Sequence, residues 1–406
     1  MFKIKPLVAA LLALGVAQAH AANNSEAYVI QEGDEQQATI YQAGAHQYSS
    51  TVQEGELNRV NVDQFGRGQE LDAYQEGKGN TLDSLQTGRG NSVDTSSIGD
   101  WHDIDVEQRG LGNDLKVRQT KWNNDAVVVQ HDYYNDAVID QSGWNNKVLV
   151  EQEGWYNDAL AEQVNTESSR ANIYQKGQGN DATTYQSGSH STATIDQDGT
   201  LNQARAVQTD SRNLAEIEQD GVTNIASSSQ SGTDGIVNID QVGGGNYADA
   251  SQSGSDNDSK IDQAGGVNIA YSAQGDHDND SSIDQTGTGN WARSSQFGDN
   301  GTVDIEQTGE FNVATAEQLE SGNDATIFQD GFANKATTGQ WGSDNIAAVE
   351  QYGDRNVATA TQWGSDNLAD IYQSGSRNVG VVGQSGNYNE ALMTQTGTAN
   401  VASITQ

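Results

Sequence analysis

Carboxylates are the side chains of this 406-residue sequence whose number and spacing could do chemistry. Asp and Glu total 57 against 20 Lys and Arg, which gives a formal net charge of −37. Regularly spaced carboxylate oxygens could bridge divalent cations such as Ca²⁺, so a cation ladder is one hypothesis. The alternative is a solvated acidic face that slows premature association. Six of these carboxylates recur at intervals of 22 residues, each directly before a glutamine: Asp196, Glu218, Asp240, Asp262, Asp284 and Glu306.

Other residue types offer no catalytic centre. The sequence has no cysteine, which excludes disulfides, thiolate metal sites and cysteine nucleophiles. Asp276, Asp278 and Asp280 superficially resemble a calcium loop, but the later glycine and glutamate of such a loop are missing. We expect the five histidines that follow residue 21 to be solvated residues of separate turns that do not converge: His46, His102, His131, His190 and His277. The sequence therefore predicts no enzyme and no cofactor.

The acidic charge also limits the possible partners. A strongly negative chain is repelled by nucleic acid phosphates and by anionic membranes, so we expect neither as a partner. No apolar run is long enough for a transmembrane helix.

The amino terminus has the features of a secretory signal peptide. Lys3 and Lys5 give a positive start, residues 7–16 form a ten-residue apolar segment, and Ala19 and Ala21 frame a small-residue cleavage site. We therefore predict a signal peptide over residues 1–21 and a secreted mature domain over residues 22–406. Pro6, the single proline of the sequence, lies in the predicted signal peptide.

Glutamine recurs every eleven residues along the predicted mature domain. It occupies each such position from Gln31 to Gln163 except Ser97, and each one from Gln175 to Gln406. A one-residue phase slip near residues 164–174 separates the two series. Glycine commonly follows two residues after the glutamine and asparagine five residues after it. Such self-similarity is typical of repeat architectures, in which each unit packs only on its neighbours.

Each eleven-residue unit reads as one β-strand and one turn. Apolar residues alternate with polar ones over about seven residues, and the following residues are the turn formers Gly, Asn, Ser and Asp. Two residues before the glutamine, large and small side chains alternate, as in Ile195, Ala206, Ile217 and Ser228. We therefore predict an all-β fold, a β-solenoid whose 22-residue rungs each contain two strands.

Side-chain amides are expected to stack along this solenoid. An unpaired buried amide is costly, whereas identical amides stacked one rung apart can bond to one another. The predicted glutamine ladder includes Gln175, Gln186, Gln197, Gln208, Gln219, Gln230, Gln241, Gln252 and Gln263. A second ladder of the same kind is expected at the turns, from Asn180, Asn202, Asn224, Asn246 and Asn268.

The first and last strands are predicted to be polymerisation edges. The repeat pattern continues to both ends of the predicted mature domain without a recognisable cap. Unpaired strand edges of this kind recruit further strands. We expect a second copy to add at Val29 and Gln31 on one side and at Ile404 and Gln406 on the other, giving a non-closing filament.

The motif resembles the curlin repeat of bacterial curli subunits. The resemblance is clear in ATIDQDGTLNQARAVQTD, residues 193–210, and extends over the predicted mature domain. It implies an extracellular functional amyloid, a pilus-like fibre on the bacterial surface that serves adhesion and biofilm formation. It also implies export through an outer-membrane pore and a surface-held nucleator. The many repeats and the short stretch before the first strand depart from the usual pattern, and the acidic charge resembles that of a major subunit.

Two other interpretations compete with the fibre subunit. A monomeric secreted β-solenoid could bind ice or calcium, although the outward positions lack a regular threonine face and the repeat is not the nine-residue calcium type. A disordered acidic polymer is disfavoured by the fixed periodicity.

Overall fold

The computed structural model describes residues 18–21 and 24–406, and this part of the chain contains β-strands and no helix. Strands of odd number form one parallel sheet, the odd sheet: β1 Gln18–Ala21, β3 Gln37–Ala45, β5 Arg59–Arg67, β7 Thr81–Arg89, β9 Asp103–Leu111, β11 Asp125–Tyr133, β13 Lys147–Trp155, β15 Arg170–Gln178, β17 Thr192–Thr200, β19 Leu214–Val222, β21 Ile236–Gly244, β23 Asp258–Gly266, β25 Asp280–Thr288, β27 Thr302–Glu310, β29 Asp324–Phe332, β31 Ile346–Asp354, β33 Leu368–Ser376 and β35 Glu390–Thr398.

Strands of even number form a second parallel sheet, the even sheet: β2 Glu26–Asp34, β4 Tyr48–Glu56, β6 Glu70–Lys78, β8 Ser92–Asp100, β10 Asp114–Trp122, β12 Asp136–Trp144, β14 Asp158–Glu167, β16 Asp181–Ser187, β18 Gln203–Thr209, β20 Ile225–Thr233, β22 Tyr247–Ser255, β24 Ile269–Gly275, β26 Trp291–Phe297, β28 Val313–Leu319, β30 Lys335–Trp341, β32 Val357–Trp363, β34 Val379–Ser385 and β36 Val401–Thr405.

Each strand pairs in parallel with the strand two positions along the chain. In the odd sheet β17 pairs with β19, so that Ile195 lies beside Ile217 and Gln197 beside Gln219. The chain thus crosses between the sheets after every strand and returns to the same sheet 22 residues later. The predicted β-solenoid of two-strand rungs is confirmed.

The core lies between the two sheets and is thin. Inward side chains alternate with outward ones along the strands between the two ends of the solenoid, as in the buried Ala193, Ile195 and Gln197 of β17. From β17 to β33 the large residue two positions before the glutamine comes from the odd sheet, and a small one faces it from the even sheet, such as Ala206. Earlier in the chain the even sheet also contributes large side chains to the core, such as the fully buried Ile139.

The one-residue phase slip is a local bulge in β14. Ser142 of β12 pairs with Val164, but the next residue, Gly143, pairs with Thr166. Asn165 is therefore the extra residue, and its φ of 53° lies in the left-handed region. The strands beyond it regain the regular register, with β15 pairing in phase with β17.

The predicted signal peptide lies mainly outside the described residues. Residues 1–17 and 22–23 are outside them, and only the last four residues of the predicted peptide, Gln18–Ala21, are described, as β1 pairing with β3. Among the described residues no helix is long and apolar enough to cross a bilayer.

Glycine two residues after the glutamine is required by close approach of the backbone. Gly221 has a φ of +127°, and a Cβ added there would overlap the carbonyl oxygen of Gly243 in the next rung. A side chain at this position would therefore strain the backbone and separate neighbouring rungs.

We predict that Gly221→Ala lowers the free energy of unfolding by about 2–4 kcal/mol, because it combines backbone strain with overpacking. Gly383→Ala is the matched control, since a Cβ added there meets nothing within 4 Å. Urea unfolding of both variants measures the difference, and equal stability would contradict the proposed close approach.

Candidate functional site

A row of buried glutamine side chains runs along each sheet, unbroken in the odd sheet from Gln42 to Gln395 and interrupted once in the even sheet. In the odd sheet, Gln197 Nε2 donates to Gln219 Oε1 at 2.8 Å, and Gln219 Nε2 donates to Gln241 Oε1 at 2.8 Å. The even sheet repeats the pattern, with Gln208 donating to Gln230 at 3.0 Å. Every bond in a row has the same direction, because the lower-numbered glutamine donates through Nε2 to the Oε1 of the glutamine one rung later. Each row is therefore a polar chain of amides along the solenoid axis.

The same glutamines also join the two sheets. The second Nε2 hydrogen of Gln197 reaches the backbone carbonyl of Asp181, the first residue of β16, at 3.1 Å. In the even sheet Gln208 bonds in the same way to the carbonyl of Thr192, the first residue of β17, at 2.8 Å. Each amide thus bonds within its own sheet and across the core, which satisfies its donors without water.

All nine glutamines predicted from the sequence are buried and lie in these rows. The five predicted asparagines are buried at the turns between the sheets. These residues are Gln175, Gln186, Gln197, Gln208, Gln219, Gln230, Gln241, Gln252, Gln263, Asn180, Asn202, Asn224, Asn246 and Asn268.

The asparagine side chains were expected to bond to one another from rung to rung. Most of them instead bond to backbone groups. Asn202 Oδ1 accepts from the backbone N–H of Asn224, one rung on, at 3.0 Å. Asn224 Nδ2 donates to the carbonyls of Asp220 and Gly243, at 3.3 and 3.2 Å. Direct bonds between asparagine side chains occur at a minority of rungs, such as Asn367 to Asn345 at 2.9 Å. The reason is geometric, because the turn exposes backbone groups that the short side chain reaches first.

Ser97 interrupts the glutamine row of the even sheet. It pairs in register between Gln75 of β6 and Gln119 of β10, and its side chain is buried. Because serine is too short to bridge two rungs, Gln119 Oε1 and Ser97 Oγ have no hydrogen-bond partner within the described part of the chain. An unpaired buried acceptor costs about 1–3 kcal/mol.

His102 takes the asparagine position of the same rung. Its Nδ1 accepts from the backbone N–H of Asn124 at 3.2 Å, and its Nε2 lies 3.3 Å from the carbonyl of Ile98. These partners require the neutral ring with its proton on Nε2. The expectation of a solvated turn residue is wrong for His102, which is buried. The burial of His102 could have been inferred from its spacing, because it lies five residues after Ser97, which holds a glutamine position.

The six predicted carboxylates lie on consecutive rungs of the odd sheet, on its outer face. Burial, followed by the charges of Glu218 and Asp262, raises the pKa of Asp240. Lys260 Nζ lies 2.5 Å from Asp262 Oδ2 and neutralises part of the row. No group of three or more His, Asp or Glu suited to a metal occurs among the described residues. Cation binding stays a prediction for Asp196, Glu218, Asp240, Asp262, Asp284 and Glu306.

The predicted polymerisation residues lie on the terminal strands of the even sheet. Val29 and Gln31 belong to β2, which within the described residues pairs with β4 on one side. Ile404 lies in β36, which pairs with β34, and its side chain packs on the core. Gln406 follows β36 and accepts from Gln384 at 3.2 Å. Gln31 and Gln406 thus lie at opposite ends of one glutamine row.

We predict that Ser97→Gln stabilises the solenoid by about 1 kcal/mol, because it restores a donor for Gln119 Oε1. Ser96→Gln, at the neighbouring outward position, is the matched control. The midpoint of urea unfolding measures both changes. If the Ser97 variant is no more stable than the control, the interrupted row has no energetic cost.

The buried His102 predicts a pH dependence. Burial lowers the pKa of His102 below its ordinary 6.5 and outweighs the nearby carboxylate of Asp100. The folded state therefore favours neutral His102, and this stabilisation is present above pH 6.5 and is lost as the pH falls. We expect His102→Asn to lose less stability than the wild type between pH 7.5 and pH 5, measured by thermal unfolding.

His190→Asn is the control for this measurement, because the His190 side chain is exposed in its turn. It should follow the wild-type pH profile. A His102→Asn profile that also follows the wild type would show that His102 does not titrate with unfolding.

Comparison with known proteins agrees with this architecture. The Curlin associated repeat matches residues 123–164, 166–199, 211–243, 236–265, 277–309, 321–353, 342–368 and 364–397, which together cover more than half of the chain. No curated protein matches it. The fixed glutamine, glycine and asparagine positions of the matched repeats are those that build the ladders and turns described above. The chain therefore belongs to the curlin-repeat family.

Proposed function

We propose that this protein is the structural subunit of an extracellular, curli-like amyloid fibre that grows by end-to-end addition of copies. The observation that carries the proposal is the polarity of the glutamine rows, in which each side-chain amide donates to the next rung in the same direction. Curlin-repeat membership supports a structural rather than an enzymatic role. Adhesion and a contribution to the biofilm matrix follow as the proposed uses of such a fibre.

The two ends of the glutamine rows are complementary. At the high-numbered end of the even-sheet row, Gln406 Nε2 donates to the carbonyl of Glu390 at 2.9 Å, and among the described residues it has no glutamine acceptor in a following rung. At the other end Gln31 donates to Gln53 at 2.7 Å, so that its Oε1 faces away from the row. A donor end and an acceptor end fit together in one orientation, which favours polar, head-to-tail growth.

The proposed route is secretory. The predicted signal peptide, residues 1–21, would direct the chain out of the cytoplasm, and an outer-membrane pore and a surface-held nucleator would complete export and assembly. The acidic outer face would slow association before export, because neighbouring carboxylates on different copies repel one another.

The test is time-dependent polymerisation of the purified mature chain. We expect light scattering and thioflavin fluorescence to rise after a lag that seeds abolish, with a meridional fibre reflection near about 4.7–4.8 Å. Ile404→Asp should slow seeded elongation at least about tenfold, because the junction would bury an unpaired carboxylate.

Ser403→Asp is the matched control, since Ser403 lies on the same strand and its side chain points outward. It should elongate at nearly the wild-type rate. A wild-type chain that stays monomeric and folded would refute the fibre and leave the monomeric ice- or calcium-binding solenoid as the better interpretation.

A further inference from the structure

A cleft on the outer face of the even sheet combines aromatic rings with charged side chains. It spans β22, β24 and β26, has a volume of about 390 Å³, and is lined mainly by Asp249, Ser251, Tyr271, Trp291 and Arg293. The rings of Tyr271 and Trp291 lie 6.3 Å apart between centroids, tilted by 53°. Both side chains are half-buried, so each ring is held by its neighbours and remains partly accessible.

The register of the three strands produces this cleft. Asp249, Tyr271 and Arg293 form one row across the sheet, with the ring between the two charged groups. The adjacent row is Ser251, Ala273 and Ser295, whose small side chains leave space beside the ring. A large residue at position 273 would fill that space. The cleft therefore results from one aromatic residue standing next to a row of small ones.

The two charged groups of the cleft are not paired with each other or with other side chains of the described residues. Within the described residues neither the Asp249 carboxylate nor the Arg293 guanidinium makes a side-chain hydrogen bond or an ion pair. Asp249 is half-buried, and burial raises the pKa of its carboxyl, so its charged form is partly desolvated. A carboxylate accepts hydrogen bonds and a guanidinium donates them, so a ligand that does both would satisfy the two groups.

We propose that this cleft binds one pyranose ring of a neutral saccharide. The C–H face of the sugar would pack on Tyr271 and Trp291, and its hydroxyls would donate to Asp249 and accept from Arg293. Burying one apolar face while pairing a few polar groups is the usual design of a small-ligand site.

The opposite charges of Asp249 and Arg293 favour a neutral ligand over an ionic one. An anion would meet the unpaired Asp249 carboxylate and the strongly negative chain, and a cation would meet the Arg293 guanidinium. A hydroxyl is both donor and acceptor, so one neutral polyol serves both groups without desolvating a charge of its own. The site does not involve the terminal strands, so the proposal is independent of fibre growth.

Titration calorimetry of the intact protein with maltohexaose tests the proposal, with polygalacturonate and spermine as anionic and cationic probes. We expect saturable binding of maltohexaose alone, weakened at least about tenfold by Tyr271→Ala and about threefold or more by Asp249→Asn and by Arg293→Gln. Preferential binding of either charged probe at this cleft would overturn the neutral-saccharide assignment.

Tyr372→Ala is the matched control. Tyr372 makes a comparable tilted contact with Tyr352, at 5.7 Å between ring centroids, on the outer face of the odd sheet. This variant should bind maltohexaose like the wild type. Absence of wild-type binding, or equal weakening by Tyr372→Ala and Tyr271→Ala with circular dichroism unchanged, would refute the site.

Discussion

The stacking of identical side-chain amides one rung apart is the interaction on which the structure depends. A glutamine in the core of an ordinary small protein would be destabilising, because its polar atoms would lack hydrogen-bond partners. Here the partner of Gln197 is the same residue type 22 positions later, held at bonding distance by the backbone pairing of β17 with β19. The constraint is mutual, because the amide bonds require the register and the register places the amides.

Apolar burial has a smaller part than in a globular core. From β16 to β32 the inward positions of the even sheet other than glutamine are Ala, Ser and Thr, and each odd-sheet strand in this region adds one or two Ile or Val residues. Several of the inward hydroxyls, including those of Ser228 and Ser294, make no hydrogen bond within the described residues. A thin interior with such groups needs the continuous backbone pairing and the amide rows to hold its two sheets together.

Much of this architecture follows from the sequence because its rule is periodic. The two-strand rung, the inward glutamines and the unequal sheets are visible in the spacing of Gln, Gly and Ile. The strand length is not, because most strands have nine residues rather than the seven that the alternation indicated. The spacing does not reveal the hydrogen-bond partners of the asparagine side chains, because these depend on the geometry of the turns. It also did not reveal that His102 is buried, since the residue type suggested a solvated turn. The cleft at Tyr271 was missed because it depends on register: Tyr271 stands one rung from Asp249 and Arg293 and beside Ala273.

The bulge at Asn165 shows how such a chain tolerates change. One added residue is absorbed within β14, and the glutamine rows pass it intact, with Gln152 still bonded to Gln175 at 2.8 Å. Each rung meets only the rung before it and the rung after it. Whole 22-residue segments could therefore be duplicated or lost during evolution without redesign of the remainder, so the length of the solenoid is free to vary while its cross-section is conserved.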